Sequence, residues 1–118
     1  MLVSTILCCH VVNDQLHTSI KSIINQTYNN HELIILFDNP DLNDFINLKN
    51  KTIEYESKIK IIFLQNDKNY GLTYSLNKAI NHSSGSLIMR QDSDDISINT
   101  RMQTLVDYLI NNPQKDLV

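Results

Sequence analysis

The chain has 118 residues, 42% of them hydrophobic and 19% charged, enough to bury one modest core and too few for two. Its net charge is −3 and its ten lysines and arginines are scattered, so it offers no clustered basic face for nucleic acid or an anionic membrane surface. No apolar stretch reaches the ~20 residues of a transmembrane helix, and the apolar start, residues 1–12, lacks a basic n-region and a cleavage site. The two cysteines, Cys8 and Cys9, are adjacent in an expected strand, point to opposite faces and are poorly placed to bridge each other. They read as reduced core residues of a cytoplasmic protein.

Residues 2–9 form a nearly continuous apolar run with β-branched members, the pattern of a strand covered on both faces. Leu16, Ile20, Ile23 and Ile24 then recur at i, i+4, i+7 and i+8, one stripe of an amphipathic helix with Asn13 or Asp14 as its cap. A second buried strand spans 33–37 and ends at Asp38. Residues 41–57 are polar and weakly helical, anchored only by Leu42, Phe45, Ile46 and Leu48. A third strand is expected at 59–64. Leu72, Leu76, Ala79 and Ile80 repeat the helical stripe, and Ser84-Gly85 supplies its stop. A fourth, short strand follows at 86–89. Met102, Leu105, Val106, Leu109 and Ile110 mark a last helix that Asn112-Pro113 terminates.

This alternation predicts an α/β fold: a mostly parallel open sheet with helices on both faces, Rossmann-like in layout. Ligands of such sheets bind outside the carboxyl ends of the strands. The conspicuous polar residues fall there: His10 after the first strand, Asp38 after the second, Asn66 to Gly71 after the third, and Asp92-Ser93-Asp94-Asp95 after the fourth. Three carboxylates in four residues repel one another, which a divalent metal carrying substrate phosphates relieves. The plainer reading is a solvated acidic loop that caps the next helix. Asn69-Tyr70-Gly71 opens a helix and offers backbone N–H groups to a phosphate, or Gly71 only serves a turn with positive φ. With two glycines in the whole chain, a P-loop or a dinucleotide fingerprint is absent.

The run Ser22-Ile23-Ile24-Asn25-Gln26-Thr27-Tyr28, the stretch from Glu32 to Asp38, Asn69-x-Gly71-Leu72, residues 85–95 and Arg101 resemble the nucleotide-binding half of glycosyltransferase family 2, the inverting GT-A enzymes. The resemblance covers essentially all of the chain. It implies that Asp92-Ser93-Asp94 is the DxD motif, with Asp94 binding Mn²⁺ or Mg²⁺ across the diphosphate of a nucleotide-sugar and Asp92 at the ribose or the metal. It implies further that Asp38 accepts a hydrogen bond from the base, usually the uracil of a UDP-sugar, and that His10 packs on that base; Asn69 and Gly71, in the loop that opens the helix, are the remaining expected donor contacts. Asp95 is open between bonding the following loop and a ligand role, and Arg101 reads as an ion-pair partner of the acidic loop. His17, His31 and His82 have no metal-ligand spacing and read as surface or helix residues.

The chain departs from the family pattern at Cys8, where a proline is usual, and at Asp38-Asn39-Pro40 in place of an acidic-Gly-Ser turn. The acceptor subdomain and the carboxylate that deprotonates a saccharide or lipid-linked acceptor lie beyond the DxD motif in the family, so residues 1–118 are expected to be the donor-binding domain alone, with no catalytic base assignable. Two readings follow: a glycosyltransferase whose donor half this is, or a catalytically incomplete remnant that binds nucleotide or a partner. A phospho-acceptor receiver domain ranks third, because such domains place an acidic pair where this chain has Cys8-Cys9-His10. An uncovered sheet edge is expected to recruit a second copy as a homodimer.

Overall fold

The computed structural model describes all of residues 1–118, in the order β1 (Val3–Cys9), α1 (Asp14–Ile24), β2 (His31–Phe37), α2 (Leu42–Thr52), a 3₁₀ turn (Ile53–Ser57), β3 (Lys60–Gln65), α3 (Leu72–Asn81), β4 (Leu87–Asp92) and α4 (Arg101–Asn111). The four strands form one parallel sheet in the order β3-β2-β1-β4. From β1 the chain steps outward twice, then α3 carries it back past β1 to lay down β4 on the other side. The strand order therefore reverses between β1 and β4, the place where open α/β sheets open a crevice at their carboxyl ends.

Right-handed crossovers in both directions put helices on both faces. On one face Leu16, Ile20, Ile23 and Ile24 of α1, Leu48 of α2, and Met102 and Val106 of α4 pack on Val3, Leu7, Leu33, Ile35 and Phe37. On the other, Ala79 and Leu76 of α3 cover Ile6, Ile34 and Leu36. β2 is buried along its whole length, as a strand covered on both faces should be; each buried Leu, Ile or Phe there contributes on the order of 1.5–3 kcal/mol. Asn13 caps α1, its Oδ1 accepting from Leu16 N at 2.9 Å.

Four expectations are corrected. The weakly helical segment is a regular 11-residue helix, α2, capped by Asp41, followed by the 3₁₀ turn; few of its residues are buried, so its apolar signal is thin. β2 begins two residues before the expected 33, because the polar side chain of Glu32 is buried with partners: its Oε1 accepts from Ser4 Oγ and from Ser84 N, each at 2.7 Å. His31, read as a surface or helix residue, is a buried strand residue. β4 does not stop at Met89 but runs on to Asp92, which pairs in register with Cys8.

Gly85 is dictated by close approach. A Cβ there would stand 2.5 Å from Ser4 Oγ, 2.7 Å from Ser4 N and 2.8 Å from Leu2 O, and two of those are backbone atoms. This glycine lets the chain entering β4 lie against β1, which sets where the carboxyl end of β4 emerges.

Candidate functional site

The carboxyl ends of β1 and β4 stand side by side at the reversal of strand order, and a cavity of about 380 Å³ opens there. Cys8, His10, Val11, Asn13, Gln15, Leu72, Asp92, Ser93 and Asp94 line it. A smaller recess of about 80 Å³ adjoins it, shared by Cys8, Cys9, His10, Asp38, Leu72 and Ser75. The fold thus brings His10 and Asp92 together with Asp94 in one cavity, and His10 with Asp38 in its neighbour. Asn69 is exposed and lines neither, and Gly71 touches them only through the next residue, Leu72.

Asp92, Asp94 and Asp95 are exposed. The only hydrogen bond to a carboxylate oxygen of the cluster comes from Arg90 Nη2, which reaches Asp92 Oδ1 at 3.4 Å with both side chains more than half exposed. An exposed pair of this kind contributes little, roughly 0–1 kcal/mol, and yields readily to a stronger cation. No three His, Cys, Asp or Glu side chains are grouped to hold an ion by themselves. Two open carboxylates on one cavity nevertheless fit a hard divalent cation of the Mg²⁺ kind, which is commonly bound by one or two carboxylates and completes its shell with substrate phosphates and water.

Asp38 is built differently. It is buried, and its Oδ1 accepts from Asn66 Nδ2 and from Tyr70 N, each at 2.8 Å, while Oδ2 accepts from Gly71 N at 3.0 Å. Asn66 passes the network on to Ser75 Oγ at 3.0 Å, and Lys78 Nζ donates to Asn66 Oδ1 at 3.1 Å. Burial pushes the Asp38 carboxyl up, but the hydrogen bonds from Asn66, Tyr70 and Gly71 and the nearby His10 outweigh it and hold it below the usual carboxylate range. The Gly71 N–H is thereby already engaged. Gly71 itself sits at φ 89° with open space where a Cβ would go, so its backbone conformation, not room for a ligand, calls for glycine.

Cys8 lines both cavities, but burial pushes its thiol up to about 11 against the lowering effect of Arg90, and burial pushes Cys9 up to about 12. Both stay protonated at neutral pH, so neither is set up as a nucleophile or a thiolate ligand. Arg101, expected as an ion-pair partner, instead bonds neutral oxygens: Nη1 donates to Gln91 Oε1 at 2.9 Å and to Ser97 Oγ at 3.0 Å, and Nη2 to Arg90 O at 3.1 Å. Gln91 and Ser19 were not singled out by sequence, and both are buried directly beneath the acidic turn. A glutamine at the polar end of an apolar strand, immediately before the acidic cluster, was the available signal.

Comparison with known proteins agrees with this layout. A family model described as Glycosyl transferase family 2 matches residues 4–118. The chain is 41% identical over 106 residues to an uncharacterized glycosyltransferase, MJ1057, of Methanocaldococcus jannaschii, a match that covers 87% of this chain and 35% of that protein. Among solved structures it superposes on the mannosyltransferase PcManGT of Pyrobaculum calidifontis in complex with GDP-Man and Mn²⁺, with TM-score 0.81 and 15% identity over 91% of this chain and 32% of that one. It also superposes on S. aureus TarS 1-349 in complex with UDP, with TM-score 0.80 and 17% identity over 94% of this chain and 32% of that one. The chain spans well under half the length of the curated relatives it matches. With a parallel α/β sheet of GT-A type and a family match running from Ser4 to its last residue, the chain belongs to glycosyltransferase family 2.

Proposed function

We propose that residues 1–118 capture a nucleotide-diphosphate-sugar, a UDP-sugar for preference, through a divalent cation held by Asp94 and Asp92, for transfer to a saccharide or lipid-linked acceptor. The observation that carries this reading is the exposed pair of carboxylates opening, with His10, into the crevice between the ends of β1 and β4. A bound Mn²⁺ or Mg²⁺ would supply charge neutralisation for the departing nucleoside diphosphate. The chain's own part is to hold Asp94 and Asp92 against the diphosphate, to offer the His10 imidazole as a face for the base, and to set the floor with Asp38. One lone pair of Asp38 Oδ2 is not taken up by the loop, which is consistent with its receiving a base N–H. Asn69, exposed at the head of α3, completes the donor contacts, whereas the engaged Gly71 N–H shapes the loop rather than binding phosphate.

A second reading is a donor-binding module without transfer of its own. It is favoured by the lining of the cavity, whose only carboxylates are Asp92 and Asp94, both already assigned to the ion, whereas an inverting transfer needs a further base opposite the leaving group. Calorimetric titration with UDP, with and without Mn²⁺, tests the common claim: binding should require the metal. Equal affinity without metal overturns the donor-site reading, and metal-dependent binding with neither transfer nor donor hydrolysis selects the module.

We also propose a homodimer in a reducing, cytoplasmic setting. An apolar groove of about 610 Å³ runs between β4 and α4, walled by Leu87, Met89, Leu105 and Leu109 and by the chain's own Leu117 and Val118, and reached by the exposed Ile80 and Ile88. No helix is long and apolar enough to cross a membrane. Light scattering at high concentration should give twice the monomer mass, and a monomer there contradicts the dimer.

A further inference from the structure

The acidic turn is fastened from below by a buried amide. Gln91, 4% exposed, has every hydrogen-bonding valence of its side chain filled. Its Nε2 donates to Ser19 Oγ at 3.0 Å and to Asp95 O at 2.8 Å, and its Oε1 accepts from Ser97 Oγ at 2.6 Å and from Arg101 Nη1 at 2.9 Å. Ser19, fully buried on α1, donates its own hydroxyl to Asp92 O at 2.9 Å. Asp95 N closes the turn onto the same Asp92 O at 3.2 Å. Both ends of the turn that displays Asp92, Asp94 and Asp95 are thus held by side chains of α1 and β4, and through backbone oxygens only. None of these bonds uses a carboxylate oxygen, so the turn is fixed while its charged groups stay open.

We infer that Gln91 and Ser19 are positioning residues for the cation: they hold the Asp92–Asp95 backbone in its ion-binding geometry before the donor arrives. The inference rests on the donor-site reading above. A fully satisfied buried network favours one arrangement over others, and groups that orient ligands from behind typically change metal affinity 10–100-fold when lost. Gln26 provides an internal contrast. It is similarly buried, donating to Ser22 O of α1 and to Ile98 O and accepting from Met102 N, so it ties α1 to the segment after the turn and makes no hydrogen bond to residues 92–95.

The test compares wild type, Q91M, S19A and Q26M. Mn²⁺ affinity is read by electron paramagnetic resonance of the free ion in the presence of saturating UDP, and folding by thermal melting. Q91M should bind Mn²⁺ about 10–100-fold more weakly, and S19A should weaken in the same direction by less. Q26M should melt earlier but keep wild-type Mn²⁺ affinity. Should Q91M fail to fold, S19A decides, since it removes one hydroxyl and keeps the packing. Wild-type Mn²⁺ affinity in folded Q91M or S19A, or an equal loss in Q26M, overturns the inference and leaves the donor site standing. Wild-type protein that binds UDP without regard to Mn²⁺ overturns both.

Discussion

Asp38 and Asp94 stand at the same edge of one sheet, Asp38 immediately after β2 beside the smaller recess and Asp94 two residues after β4 in the crevice itself. Their surroundings divide their work. Asp38 is buried and gives three of its lone pairs to Asn66, Tyr70 and Gly71, so its charge organises the loop that starts α3. Asp94 is exposed on a turn whose backbone, not its carboxylates, carries the stabilising bonds. Position at a strand end makes a carboxylate a candidate; whether its lone pairs are free decides whether it can serve a ligand. Glu32 repeats the Asp38 pattern at the opposite edge, where Ser4 and Ser84 absorb it.

The largest effect that would sharpen this contrast is on stability. Asp38→Ala strands a buried amide and two backbone N–H groups and should cost roughly 3 kcal/mol in chemical denaturation, given ~1.5–3 kcal/mol for a hydrogen bond to a charged group. Asp94→Ala should shift stability by no more than about 0.5 kcal/mol. Equal costs for the two would break the comparison. Next in size is Gly85→Ala, which drives a methyl against Ser4 N and Leu2 O and should cost about 1–3 kcal/mol by overpacking, read as an earlier thermal midpoint; an unchanged midpoint would mean that the chain entering β4 does not lie this close to β1.

A smaller effect lies in pH. The folded-state pKa of Asp38 is held below its unfolded value, so its contribution is complete above the ordinary carboxylate range and fades as pH falls through the lower, folded value. The stability gap between wild type and Asp38→Ala should therefore be constant from neutrality down to about pH 4 and narrow at more acid pH. A gap that widens on acidification would reverse the assigned sign.

These contrasts also explain what could be read from the residues alone. The strands at the centre of the sheet and the stripes of α1, α3 and α4 were legible because burial on both faces leaves an uninterrupted apolar record, as in 33–37, or a strict helical spacing. α2 was thin because it buries Leu48 and Thr52 and little else. The last three residues of β4 were illegible for a different reason. Arg90 and Asp92 face solvent while Gln91 is buried, and a buried glutamine makes sense only once Ser19, Ser97 and Arg101 are seen around it. The convergence of His10, Asp92 and Asp94 followed from topology, since all sit at strand ends beside the reversal. That the Gly71 N–H serves Asp38 did not, because the partner is 33 residues away in sequence.

The most direct test of the division between committed and open carboxylates is calorimetric titration of UDP in the presence of Mn²⁺ against wild type and Asp94→Ala, at matched folded fractions. Loss of the metal-dependent affinity by at least about 10-fold, with the melting temperature unchanged, is the predicted result. Wild-type UDP affinity and metal dependence in Asp94→Ala would contradict it.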